Sequence, residues 1–161
     1  MHHRLQVQKN RPEIKVVKEY GQLPLVVCYS SLLNQVFMNL LANAIDALSD
    51  AATRTDTPLK EPQIVIRTQT QPIQSLSSTE KATDGAVIQI GDNGSGISQD
   101  VLEHIFDPFF TTKPVGKGTG LGLSISYKIV VEKHGGQLRC VSSPGQGTSF
   151  IVEIPLNPQP S

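Results

Sequence analysis

Residues 106–124 read FDPFFTTKPVGKGTGLGLS. Gly116, Gly118, Gly120 and Gly122 alternate through this stretch. Glycine gives up more backbone freedom on folding than any other residue, so the run is costly unless it serves a purpose. Phe106, Phe109 and Phe110 precede it and an apolar helical pattern follows. Two familiar phosphate loops do not fit. A P-loop needs GxxxxGK[ST], but Lys117 is followed by Gly118, and Thr111 stands where the first glycine belongs. A dinucleotide fingerprint needs GxGxxG, whereas Gly118-Thr119-Gly120-Leu121-Gly122 is GxGxG. The physics behind both loops survives. Glycines leave backbone N–H groups open to a phosphate, a helix N-terminus adds unpaired donors, and Lys113 and Lys117 add positive charge. The plainer alternative is a flexible loop with a glycine-rich helix start.

Outward from this stretch, the spacing predicts a long helix from about Thr119 to His134, stopped by Gly135–Gly136. SQDVLEHIF (98–106) reads as a short helix capped by Ser98. Further back, Leu33, Val36, Phe37, Leu40, Leu41, Ala44, Ile45 and Leu48 recur at helical spacing after a possible Ser30 or Ser31 cap. Alternation predicts strands at 14–20, 25–29, 64–68 and 86–92, then QLRCVSS and TSFIVEIPL around the SPGQG turn. The polar run QTQPIQSLSSTEKATDG reads as a mobile connection. About three helices and five or six strands, grouped more than alternating, predict an α+β two-layer sandwich with helices on one face of a mixed sheet. Residues 1–12 precede this unit, 13–157 form it, and 158–161 are a frayed tail.

The 161 residues suit one domain with a sizeable core. Lys+Arg and Asp+Glu both number 14, which removes any global electrostatic case for nucleic acid or an anionic membrane. No apolar run is long enough to span a bilayer, and the N-terminus has no secretory apolar core. Cys28 and Cys140 form no CxxC and suit a reducing cytoplasm. The expectation is a cytoplasmic domain without nucleic-acid or membrane contact of its own.

Two further stretches carry chemistry. Gln35, Asn39 and Asn43 stand four residues apart on the first helix, with Asp46 nearby. Asparagine is a poor helix former, so this is either a site needing neutral oxygen ligands, such as one for magnesium, or an ordinary solvated face. DNGSGI (92–97) follows a strand directly, so Asp92 ends that strand and Gly94 and Gly96 permit a tight turn. A carboxylate there can accept from an exocyclic amine, although Asn-Gly is a turn signal by itself.

Together these residues resemble the sensor histidine kinases. Asn39-Leu40-Leu41-Ala42-Asn43-Ala44 looks like their N box and Asp92-Asn93-Gly94-Ser95-Gly96 like their first glycine box. Phe106-Asp107-Pro108-Phe109-Phe110 resembles the F box, Gly116 to Gly122 the second glycine box, and GQGTSF (145–150) the closing glycine-threonine motif. The boxes occur in family order over roughly residues 14–156. The resemblance implies the Bergerat ATP-binding fold, with ATP and Mg2+ as ligands. It implies that Asn43, helped by Asn39, binds magnesium, that Asp92 binds the adenine amine, and that Thr148 lies near the adenine. Gly94, Gly96, Lys113, Lys117, Gly118, Thr119, Gly120, Leu121 and Gly122 complete the implied nucleotide site, the glycine run being the ATP lid. Asn39, Asn43 and Lys113 are the implied catalytic residues.

Two features depart from the family's commonest pattern. Asp46 and Ala47 stand where many histidine kinases carry a lysine and an aromatic, which shifts the phosphate charge onto Lys113 and Lys117. No histidine has the family's acceptor context: His2 and His3 lack the acidic neighbour, and His104 and His134 lie inside the ATP-binding part. The resemblance therefore implies the catalytic half of a kinase. Its partners would be a dimerisation domain carrying the acceptor histidine and a response regulator receiver domain. A chaperone-type ATPase or serine kinase of the same fold is the alternative enzyme, and a nucleotide-sensing module the non-catalytic one.

Overall fold

The computed structural model describes residues 5–6, 12–54, 56–73, 83–113 and 118–156. Among them five strands form one sheet: β1 (Lys15–Tyr20), β2 (Gln63–Ile73), β3 (Thr83–Asp92), β4 (Gln137–Ser142) and β5 (Thr148–Pro155), in the order β1-β2-β3-β5-β4. β1 runs parallel to β2 and all other neighbours are antiparallel, so the sheet is mixed as expected. A parallel pair needs a crossover, and α1 (Ser30–Ala52) supplies it. α2 (Gln99–Leu102) and α3 (Gly122–Lys128) complete the helices, and α3 ends in a π-helical turn, Ile129–Lys133.

The helical period of α1 decides the packing. Leu33, Val36, Leu40, Ala44, Ile45 and Leu48 are buried on one stripe. They join Ile64, Ile90, Phe150, Val152 and Ile154 from the sheet in a single core. Alternate strand residues point to the other face, where Glu19 pairs with Arg67, Glu153 with Arg139, and Gln89 donates to Ser149. The two-layer sandwich predicted from the sequence is thus the observed one.

Four elements differ from expectation. Residues 25–29 alternate as a strand would, with Leu25 and Val27 exposed and Val26 and Cys28 packed on the core. They are not a strand, because no described neighbour offers a ladder; Gly21 N–H and the Gln22 carbonyl bond Thr68 and Thr70 instead. β2 and β3 extend into the polar run from both sides, and residues 74–82 lie outside the described residues. Pro72 is tolerated because β1 pairing ends at Thr68, so among the described residues no strand pairs with that side of β2 there. α2 stops after Leu102 in consecutive turns closed by His104 and Asp107 N–H. The long helix begins at Gly122, since Gly120 has φ +71.

Helix ends rest on unforeseen partners. Ser30 is the first helical residue of α1 and makes no cap; Tyr29 precedes it, and its N–H donates to His134 Nε2 at 3.0 Å. His134 Nδ1 meets the Ile129 carbonyl at 2.8 Å. An amide only donates and a carbonyl only accepts, so the buried ring is the neutral tautomer with its proton on Nδ1. Gly135, at φ +64, closes the turn as the stop signal predicted, with Gly135 and Gly136 N–H returning to Val131 and Val130.

Candidate functional site

Three segments converge on the polar stripe of α1. Asn39 Nδ2 donates to the Gly122 carbonyl at 3.2 Å and to Ser126 Oγ at 3.1 Å, fastening the start of α3 to α1. Lys113 Nζ lies 2.6 Å from Asp46 Oδ2. The turn after β3 touches the helix where a Cβ on Gly94 would lie 3.4 Å from the Ala47 carbonyl. Between these contacts stands Asn43, half-buried, whose side-chain amide makes no hydrogen bond among the described residues.

Asp92 ends β3 on the helix side of the sheet. Its Oδ1 accepts from Gly94 N–H at 2.9 Å, and Thr148 faces it across the β3–β5 ladder. Burial pushes its carboxyl up from near 3.8 to about 6, against the lowering effect of the Gly94 and Thr148 backbone bonds. Folding thus favours the protonated form. The associated stability is present below about pH 3.8 and is lost as pH rises through about 6. At neutral pH the fold therefore holds a poorly solvated carboxylate that an N–H donor would relieve. Asp92→Asn is expected to raise the melting temperature at pH 7, with the gain shrinking as pH falls below about 6 and disappearing below about pH 3.8. The same change should weaken ATP binding about tenfold to a hundredfold, the range for a hydrogen bond to a charged group. Melting curves across this pH range and calorimetry check both halves; unchanged affinity would remove Asp92 from the nucleotide site.

The surrounding turns interlock. Ser142 Oγ donates to the Gly147 carbonyl and accepts from Ile97 N–H, both at 2.8 Å, and contacts Thr148 Oγ1 at 2.9 Å. Gly145 N–H donates to Ser95. Gly96 and Gly147 have φ +78 each, and a Cβ on either would lie 2.1 Å from a backbone oxygen, of Ser143 and Asp92 respectively. Nearby Cys140 is a free thiol pushed up to about 12, first by burial and then by the Asp92 charge, so it stays an inert core residue.

The glycine run is anchored at both described ends. A Cβ on Gly120 would lie 2.4 Å from the Phe109 carbonyl carbon, and Phe109 itself has φ 65. Phe106 stacks at 5.3 Å on Tyr127 of α3. Leu121 N–H donates to Thr119 Oγ1, and Gly118 lies against the Lys113 stem. Lys117 and Gly116 lie outside the described residues. Asn39, Asn43, Asp92, Gly94, Lys113 and Gly122 thus gather around α1, with Thr148 beside Asp92. Asp46 and Ser142 are the important partners that the sequence reading did not assign. Only Asp46 left a signal, as a carboxylate where the related pattern has a lysine. His104 is exposed and paired with Asp107.

Comparison with known proteins shows the family and the fold. The family model for histidine kinase-, DNA gyrase B- and HSP90-like ATPases matches residues 28–158. Sensor kinase CckA of Brucella abortus is 42% identical over 125 residues, covering 75% of this chain and 12% of that protein. Signal transduction histidine-protein kinase AtoS of Escherichia coli is 41% identical over 128 residues, covering 80% and 17%. The chain thus spans less than a fifth of either relative. A nucleotide-free structure of the catalytic domain of histidine kinase ThkA superposes with TM-score 0.66 at 31% identity, over 90% of this chain and 82% of that one. ThkA in complex with response regulator protein TrrA gives 0.63 at 28% identity, over 90% and 35%. No described helix is long and apolar enough to cross a membrane. The chain belongs to the histidine kinase-, DNA gyrase B- and HSP90-like ATPase family, as an ATP-binding catalytic domain of the sensor histidine kinase type.

Proposed function

We propose that this domain transfers the γ-phosphoryl group of ATP to a histidine on a dimerisation domain, from which a response regulator receiver domain takes it. The observation that carries the reading is the half-buried Asp92 carboxylate, under-solvated and opposite Thr148, within one site with the α1 asparagines and the glycine run. In this reading Asp92 accepts from the adenine amine. The backbone N–H groups around Gly118, Thr119, Gly120, Leu121 and Gly122, with Lys113 and Lys117, receive the phosphates. Gly94 and Gly96 keep the adenine turn tight. Phosphoryl transfer asks little covalent work of a protein; alignment and charge neutralisation supply most of the acceleration.

Magnesium fits the residues present in one way. The described residues hold no cluster of three or more His, Cys, Asp or Glu, whereas Asn43 offers a neutral amide oxygen. A hard cation that keeps water and phosphate ligands needs little more from the protein. Asn43 would hold it, with Asn39 fixing the start of α3 alongside, and the ion would neutralise phosphate charge. A cytoplasmic location accords with ATP as substrate.

ATP and magnesium should leave the isolated chain unlabelled. Adding the dimerisation domain of its own parent kinase should give acid-labile label on that domain. The yield should be low, because separate domains lose the effective concentration a linker provides. Radiolabelling with an acid-stability assay checks this. Acid-stable label on the chain would indicate a serine or threonine kinase, and robust ATP turnover without acceptor a chaperone-type ATPase.

A further inference from the structure

The ion pair between Lys113 and Asp46 has no role in the function above, and its position gives it one. Asp46 follows Asn43 by three residues, so the two side chains are neighbours on α1. The Lys113 ammonium rests 2.6 Å from the Asp46 carboxylate, each side chain about a third exposed (34% each). Sixty-seven residues of sequence separate the partners, so the pair bridges the helix to the segment entering the glycine run. The run itself meets the same lysine, since a Cβ on Gly118 would lie 3.0 Å from Lys113 Cδ.

We infer that Asp46 is a specificity-determining residue that parks Lys113 when no nucleotide is bound and competes with the polyphosphate for its charge. The inference rests on the nucleotide reading above. A carboxylate beside a polyphosphate repels it, and a lysine paired with that carboxylate cancels the repulsion. When phosphates arrive, the ammonium exchanges one anion for another. Its stem already lies against Gly118, so the change of partner is felt within the run. Affinity for phosphates is held down by the exchange, most for the nucleotide with the most phosphate charge.

Charge counting fixes the test. The pair contributes zero net charge, Lys113→Gln leaves −1, Asp46→Asn leaves +1, and the double variant returns to zero. Calorimetry with ATP, ADP and adenosine in EDTA keeps divalent cations out of the comparison. The expected order of ATP affinity is Asp46→Asn tightest, the unaltered chain and double variant alike, and Lys113→Gln weakest. Each single variant should differ from the unaltered chain by about tenfold, the scale of one unit charge near a polyphosphate. The spread should shrink from ATP to ADP and close for adenosine, whose binding also reports that each variant is folded. Two outcomes overturn the inference. If Asp46→Asn weakens ATP, the carboxylate props the lysine into the site. If Lys113→Gln and the double variant are equally weak, Lys113 is a phosphate ligand and Asp46 a bystander. Failure of all four proteins to bind ATP overturns the kinase reading itself, and this inference with it, and is distinguishable from both.

Discussion

Asn43→Ala should reduce phosphoryl transfer to a supplied dimerisation domain about a hundredfold or more, the scale for loss of a metal-holding contact, while the domain stays as stable as before. The two halves of this result come from different physics. The Asn43 amide makes no hydrogen bond among the described residues, so nothing is left unpaired by its removal. Alanine is also the better helix former, by a few tenths of a kcal/mol per residue. Asn39, one turn earlier, should behave differently. Its amide binds Gly122 and Ser126, and Asn39→Ala would leave the buried Ser126 hydroxyl and the start of α3 without that partner. That variant should lose about 1–3 kcal/mol of stability as well as activity. Transfer assays and thermal melts on the two variants check the contrast. Full transfer by Asn43→Ala, or a stability loss equal to that of Asn39→Ala, would contradict it.

A second large effect should come from a residue with no side chain. Gly147→Ala is expected to destabilise the domain by about 3 kcal/mol or more and to abolish nucleotide binding. Its φ is +78, and the added Cβ would lie 2.1 Å from the Asp92 carbonyl oxygen. The left-handed conformation alone costs a non-glycine residue roughly 1–2 kcal/mol. The clash adds to this, because one of two packed backbones must retreat, and one of them carries Asp92. Gly145 isolates the first contribution. It has φ +79 in the same turn, but nothing within 4 Å of its Cβ position. Gly145→Ala should therefore cost only the backbone share and leave ATP binding nearly intact. Urea unfolding of both variants, with calorimetry, checks the difference; equal losses would mean that packing against Asp92 is unimportant.

The legible parts of this molecule in its sequence were those written in periods and punctuation. The α1 stripe, the alternation of β5 and the Gly135–Gly136 stop each follow from local spacing, and together they gave the two-layer architecture. Asn39 and Asn43 stand out as amides in mid-helix and Asp92 as a carboxylate ending a strand, but spacing left each with a plainer alternative, and only the resemblance to the sensor histidine kinases gave them roles. What escaped depends on contacts between distant segments. The alternation at 25–29 gives a face but cannot supply a neighbouring ladder. The Ser30–Ser31 pair looks like a cap, yet an imidazole more than a hundred residues away takes the Tyr29 N–H. Lys113 carries positive charge in the sequence, but nothing local to it reveals that Asp46 claims that charge. Ser142 is an unremarkable last residue of β4, and only the approach of Ile97 and of Gly147–Thr148 gives its hydroxyl three partners.

The π-helical turn at Ile129–Lys133 makes the residue count of this region part of its function. It packs one more residue into a turn than an α-helix would, and His134 follows directly. Each residue of an α-helix advances by about 100°. Were one residue lost here, the helix could relax to ordinary α geometry, and the imidazole would swing from beneath Tyr29 to another side. The entrance to α1 would lose its support although every motif remained in place. Length is therefore constrained here more tightly than identity: Val131 and Glu132 can exchange for other side chains far more readily than either can be removed.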